Sequence, residues 1–200
     1  MRNHTNADAK AIAKGLAAGL LGGLVASFAM NMLMSVAARG TNAKREGMWN
    51  DPQRDKQLMR ERVTYFQQLA DPTGEASQRA WWKISGHELT PEQRRKAGPV
   101  VHYAFGALLG AAYGAAAEVA PMMTKGMGAP FGVAVWAVGD EIAVPALGLS
   151  PWPTEVPAEA HAAMFASHVL YGASLEGVRR MLRRKPSQRY AFSANIGRVA

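Results

Sequence analysis

The sequence has no cysteine, so it carries neither a disulfide framework nor a thiolate-held metal. It also lacks the residue arrangements of conventional catalysis. Ser150 and Ser167 lie in no recognisable nucleophile elbow, and no glycine-rich phosphate loop follows a strand. Charge is scarce, at 19% of residues, and is missing altogether from residues 15–38. Acid is missing from residues 179–200, which hold seven Lys/Arg.

What is there is arranged in blocks. Of Asp, Glu, Lys, Arg and His, residues 97–124 hold only His102 and Glu118, and residues 126–149 only Asp140 and Glu141. Residues 160–175 hold only His161 and His168, whereas residues 39–97 hold twelve Lys/Arg and eight Asp/Glu. A membrane-crossing helix needs about 20 mostly apolar residues, and four windows meet that length, at about 12–38, 99–120, 127–147 and 158–178. The pattern predicts an all-α, multi-pass transmembrane bundle of about four helices with Gly/Ala-rich packing. A polar, partly helical insert, 39–97, separates the first two helices, and a basic tail, 179–200, follows the last. A soluble bundle of this composition would need polar helix faces, and 15–38 has almost none. The formal net charge of +8 comes mostly from basic residues beside hydrophobic segments, as the positive-inside rule describes. The expected partners are therefore the lipid bilayer and a second copy or another membrane protein, not nucleic acid.

Ser35-Val36-Ala37 offers a small-residue cleavage site, but the apolar run Gly15–Met34 is longer than a signal-peptide core. It reads as a retained first helix. Pro99 suits the first turn of the second helix, Pro121 follows it, and Gly126-Met127-Gly128 turns into the third. The third ends at Pro145 and Gly148. In the insert, Asp51-Pro52 starts a helix on which Leu58, Met59, Val63, Phe66 and Leu69 recur at helical spacing. Asp71-Pro72-Thr73-Gly74 breaks it, and a second short helix carries Trp81, Trp82 and Ile84. Thr90-Pro91-Glu92-Gln93 reads as a capping box. The two tryptophans beside Lys83 suit either a membrane interface or a small core over the bundle mouth.

Four crossings with both chain ends in the cytoplasm put the tail and Lys125 inside and the insert outside. The alternative makes 127–147 re-entrant and brings the insert inside. Glu118 then moves toward His161.

Two rows at spacing four stand out. Gly15, Gly19, Gly23, Ser27, Asn31 and Ser35 form one, and Gly98, His102, Gly106, Gly110, Gly114 and Glu118 the other. Each lies on one helix face, where small residues let helices approach closely in lipid. There is also an echo: His102-Tyr-Ala-Phe-Gly106-Ala-Leu-Leu against His168-Val-Leu-Tyr-Gly172-Ala-Ser-Leu, as a duplicated two-helix hairpin would leave.

Ionisable groups within the spans are costly unless they face protein or water. Under four crossings, Asn31, His102, Asp140, Glu141, His161 and His168 fall in the outer half as a candidate polar cluster. Glu118 and Glu176 fall near the inner surface, about 24 Å below His102 in the case of Glu118, where Arg179 and Arg180 pair with them. Asp140 and Glu141 point about 100° apart on an α-helix, so only one easily faces a given neighbour. A buried acid beside histidine exchanges protons near neutral pH, which points to a proton or cation path. A membrane scaffold or accessory subunit that binds a partner through the insert is the other reading. His161 and His168, seven apart, could grip a divalent cation with Asp140 or Glu141, and glycines four residues after His102 and His168 could leave room for a porphyrin. Neither spacing is characteristic, so no metal, cofactor or catalytic residue is assigned.

From about residue 100 onward the chain resembles the YagU-like family of bacterial inner-membrane proteins. The resemblance rests on Tyr113-Gly-Ala-Ala-Ala-Glu-Val-Ala-Pro121, on Pro145-Ala-Leu-Gly-Leu-Ser-Pro151, and on Ser174-Leu-Glu-Gly-Val-Arg-Arg180. It implies a multi-pass inner-membrane protein of uncharacterised function and carries over Glu118 and Glu176, whereas Asp140 departs from the pattern. The insert 39–97 resembles nothing in that family.

Overall fold

The computed structural model describes residues 2–45 and 72–183. The Asp51-Pro52 helix start, the apolar spacing from Leu58 to Leu69 and the tail beyond Arg183 lie outside the described residues. Within them the chain is helical, with no strand. In order come α1 (Arg2–Arg45), α2 (Pro72–Ser85), α3 (Pro91–Val119), α4 (Ala129–Val135), α5 (Val144–Ala146) and α6 (Ala158–Arg183). A π-helical stretch, π1 (Trp136–Ala143), joins α4 to α5 with helical backbone angles at both junctions. Among the described residues three stretches are long and apolar enough to cross a membrane: Asp8–Val36, Pro91–Val119 and Pro121–Ala146.

The faces of α1 are the reverse of a water-soluble helix. Leu16, Leu20, Leu21, Leu24, Val25, Phe28 and Met32 are exposed, while Gly15, Ala18, Gly19, Gly22, Gly23, Ala26 and Ser27 are buried. Putting bulk outside and small side chains inside wastes hydrophobic burial in water. In lipid it costs nothing, and it lets backbones meet. A Cβ on Gly15, Gly19 or Gly23 would overlap the carbonyl of Gly114, Gly110 or Gly106 on α3. The descending numbers on α3 make the two helices antiparallel. α6 packs on the other side of α1, where Gly22 meets Leu175. Ala26, Tyr113, Tyr171 and Leu175 form the central core, with Met30 and Phe131 against it.

α3 starts earlier than its apolar run suggests. Thr90 Oγ1 accepts from Gln93 N at 3.3 Å and Gln93 Oε1 accepts from Thr90 N at 2.9 Å, the reciprocal pair of a capping box. Pro99 therefore lies inside the helix, two turns past the position expected for it, and withholds the bond to the Arg95 carbonyl. Likewise Pro72-Thr73-Gly74 opens α2.

After α3 the chain turns through Gly126, Met127 and Gly128, all at positive φ (68°, 56° and 77°). Gly128 is needed twice, for its backbone angle and because a Cβ would overlap the Gly172 carbonyl on α6. The run α4–π1–α5 then climbs antiparallel to α6. Gly132 abuts the His168 carbonyl, and Asp140 and Glu141 reach His168 and His161.

At the end where α5 stops, the Arg79 guanidinium of α2 donates to the carbonyls of Leu147 and Gly148. A cation there complements a helix C-terminus. Arg94 of α3 pairs with Glu75 of α2. α2, the start of α3 and the 147–157 connection thus share one end of the bundle. The 121–128 turn and the end of α6 share the other.

Candidate functional site

α6 lines the interior with polar groups. Ser167, His168, Glu176 and Arg179 are buried, and Glu176 is fully so. That is why a 26-residue helix, about 39 Å long, is not among the three apolar stretches.

At the α2 end, His161 stands between two oxygens. Its Nδ1 lies 2.9 Å from Glu141 Oε1 and its Nε2 2.9 Å from the Pro153 carbonyl. A carbonyl only accepts, so Nε2 must carry a hydrogen. An ionised carboxylate also only accepts, so a second proton lies between Nδ1 and Oε1. The pair is thus an imidazolium with a carboxylate, or an imidazole with a carboxylic acid. Either way it holds one proton that can pass between partners.

About two turns down α6 the pattern repeats at longer range. His168 Nδ1 meets the Met164 carbonyl at 2.9 Å, and Nε2 faces Asp140 Oδ2 at 3.5 Å. Two adjacent acids thus serve two histidines seven residues apart on one helix, where an α-helical step of 100° led to the expectation that only one would easily reach a given neighbour. π1 supplies the reason. A turn closed at i+5 advances less per residue than one closed at i+4, so neighbours diverge less. Such stretches concentrate at functional sites, and this one holds both acids.

His102 on α3 lies near His168 and the Ser27 backbone. Below it, Tyr171 donates to the Gly106 carbonyl at 2.6 Å and Tyr113 donates to Glu176 at 3.0 Å. At the far end, Glu176 also accepts from Arg179 (2.7 Å) and Arg180. Arg179 reaches Glu118 at 3.1 Å, and Arg183 grips Glu118 with two nitrogens at 2.9 and 2.6 Å. Arg180 also donates to the Thr124 carbonyl at 2.9 Å. The network ties α3, α6 and the 121–128 turn together.

The named residues therefore form two separate sets. Asp140, Glu141, His161, His168 and His102 gather toward the α2 end, and Glu118, Glu176, Arg179 and Arg180 join at the other. Asn31 donates to the Tyr103 hydroxyl at 3.4 Å, and the Tyr103 ring meets that of His102 edge to face. Glu118 does not approach His161, because α3 and α6 run parallel and bring it to Arg183. Each acid has its own histidine, and no three His, Asp or Glu residues meet at metal-binding distance among the described residues. The glycines after His102 and His168 leave no room for a porphyrin: a Cβ on Gly106 would strike Ser27 Oγ, and one on Gly172 the Gly128 carbonyl.

Several participants escaped the sequence reading. Tyr113 was present as the first residue of the Tyr113–Pro121 motif, and Arg183 as part of the basic run. Tyr171 faces Phe105 in the echo between α3 and α6, where the hydroxyl is the difference. Trp136, against Phe165 with ring centroids 5.2 Å apart, gave no signal.

Over the described residues the fold is all-helical, with three helical stretches apolar enough to cross a membrane. The chain belongs to the family described as protein of unknown function DUF1440, whose model matches residues 52–177. The match takes in the insert from Pro52 onward, which the sequence reading left outside any resemblance. No curated protein and no solved structure matches the chain.

Proposed function

We propose that the chain crosses a bacterial inner membrane four times as a YagU-like bundle held together through glycine, and relays protons along the interior face of α6. The observation that carries the reading is His161 held between Glu141 and the Pro153 carbonyl, an arrangement that requires one exchangeable proton. Asp140–His168 repeats it, and hydroxyls of Tyr171 and Tyr113 continue the polar column toward Glu176.

Support for four crossings comes from the two bundle ends. Arg79 joins the insert to the end of the third helical run, and Glu118 joins the ends of α3 and α6. A re-entrant 127–147 would separate the first pair and the second. α6 crosses despite its polarity because His161, His168, Glu176 and Arg179 turn inward, as buried charge in lipid must. Lys14, Lys125 and Arg183 share an end, which favours that end as cytoplasmic. The insert, with twelve Lys/Arg, is then outside, and its 59 residues bring it near the length at which loops translocate regardless of charge.

The test is proton flux into liposomes holding a trapped pH dye. Wild type should acidify the lumen under a pH step, and Glu141→Gln or His168→Ala should cut the rate about a hundredfold with helicity unchanged. A wild type with no flux under any ion gradient removes the relay. A second reading, a scaffold that meets a partner through the insert, draws on Trp81, Trp82 and Ile84, all exposed on α2. Deleting residues 45–90 would then lose co-purifying partners and leave the bundle inserted.

A further inference from the structure

Three buried side-chain polar atoms among the described residues have no hydrogen-bond partner in the protein: Ser27 Oγ, His102 Nε2 and Trp136 Nε1. They come from α1, α3 and π1: Ser27 borders Gly106, whose carbonyl takes the Tyr171 hydroxyl, and π1 carries Asp140, which faces His168. Ser27 is 1% exposed and crowds Gly106, four residues from His102. Trp136 lies midway between Gly132, which abuts the His168 carbonyl, and Asp140, which faces the His168 ring. Orphaned polar atoms are rare in folded interiors, and each costs about 1–3 kcal/mol when left unmet.

The chemistry of the set selects what can meet it. An indole N–H only donates, so it repels a metal ion. His102 Nε2 donates or accepts according to its tautomer, so it can meet either end of a neutral molecule. The Ser27 hydroxyl does both. A small neutral molecule with donors and acceptors suits all three, and water is the one that enters buried polar sites of this kind.

We infer that this level of the bundle is a hydrated site, in which bound water links the Asp140–His168 pair to His102. The inference deepens the relay reading and rests on it for the movement of protons. It names His102 as the station after His168 and water as the bridge between them. The proton on His168 Nε2 passes to a water oxygen as that water gives one of its own to His102 Nε2, so charge and atoms balance at each transfer.

The experiment is solid-state NMR of the full chain in lipid bilayers with 15N-labelled histidine, reading magnetisation transfer from water to each ring nitrogen. The His102 signal is identified by its loss in His102→Phe. It is expected to build up as fast as that of His161, at the end of the bundle. Ser27→Ala and Trp136→Phe, each removing one partner of the water, are expected to slow the build-up at His102 and leave His161 unchanged. Build-up at His102 as slow as in the dry core, or unaltered by both variants, overturns the site. Water at His102 in a protein that passes no protons upholds the site while the relay fails. Proton flux with a dry His102 overturns the site and leaves the relay to the outer pairs.

Discussion

Glu141 Oε1 lies 2.9 Å from His161 Nδ1 while the opposite ring nitrogen of His161 points at a backbone carbonyl. Substituting Gln for Glu141 replaces an acceptor that needs the shared proton with an amide that can accept or donate without it. Glu141→Gln is therefore expected to turn His161 into a neutral ring with hydrogen on Nε2 alone. The 15N shifts of the two ring nitrogens, nearly equal for an imidazolium, would then separate widely. A His161 whose spectrum is the same in wild type and variant would show that the wild-type ring is not an imidazolium.

Glycine contacts give a paired prediction. Gly19→Ala drives a methyl into the Gly110 carbonyl across α1 and α3, and overpacking of this kind costs about 1–3 kcal/mol. Gly177→Ala meets nothing within 4 Å and should be neutral or stabilising by up to about 1 kcal/mol, the helix-propensity difference. Thermal unfolding in detergent ranks the two. Equal effects would deny that the close approach matters.

Glu176→Ala strips one partner each from Arg179, Arg180 and Tyr113 at a fully buried position. Breaking one side of such a pair costs about 3–5 kcal/mol. Lys96→Ala breaks an exposed i,i+4 pair with Glu92 and should cost about 0.5 kcal/mol or less. Urea-dependent unfolding of both variants measures the contrast.

Arg79→Ala removes two charge-assisted bonds that fasten α2 to the end of α5. The loss is expected at about 1 kcal/mol, since the site faces solvent. It should act locally: amide exchange speeds up along α2 and stays slow in α3 and α6. Uniform acceleration would mean that α2 supports the whole bundle.

The sequence made three apolar windows, the capping box at Thr90 and the turn at Gly126–Gly128 legible, because each depends on neighbours along the chain. Helix ends were harder. Hydropathy marks where lipid would begin, while α1 continues to Arg45 and α3 reaches back to Pro91 on residues that favour helix and water alike. Pro99 misled because a proline fits the first turn so well, and only the cap shows where that turn is. The acid–histidine pairing was half visible. Asp140, Glu141, His161 and His168 stood out as ionisable groups in apolar runs, but the widened turn of π1 leaves no residue pattern. The partners of Glu118 depended on α3 and α6 running parallel, which the His102 and His168 echo implied and no local feature could decide.

A relay along α6 requires that the two ends of the bundle face opposite sides of a membrane. The absence of cysteine permits single-cysteine labelling with no background. Ala80→Cys on α2 and Met122→Cys in the 121–128 turn are both exposed. With an impermeant thiol reagent on intact cells, Ala80→Cys is expected to label and Met122→Cys to label only after lysis. The reverse pattern would keep the crossing and invert its orientation. Equal labelling of both before lysis, or of neither, would place the two ends on one side and contradict a column of polar residues running through the membrane.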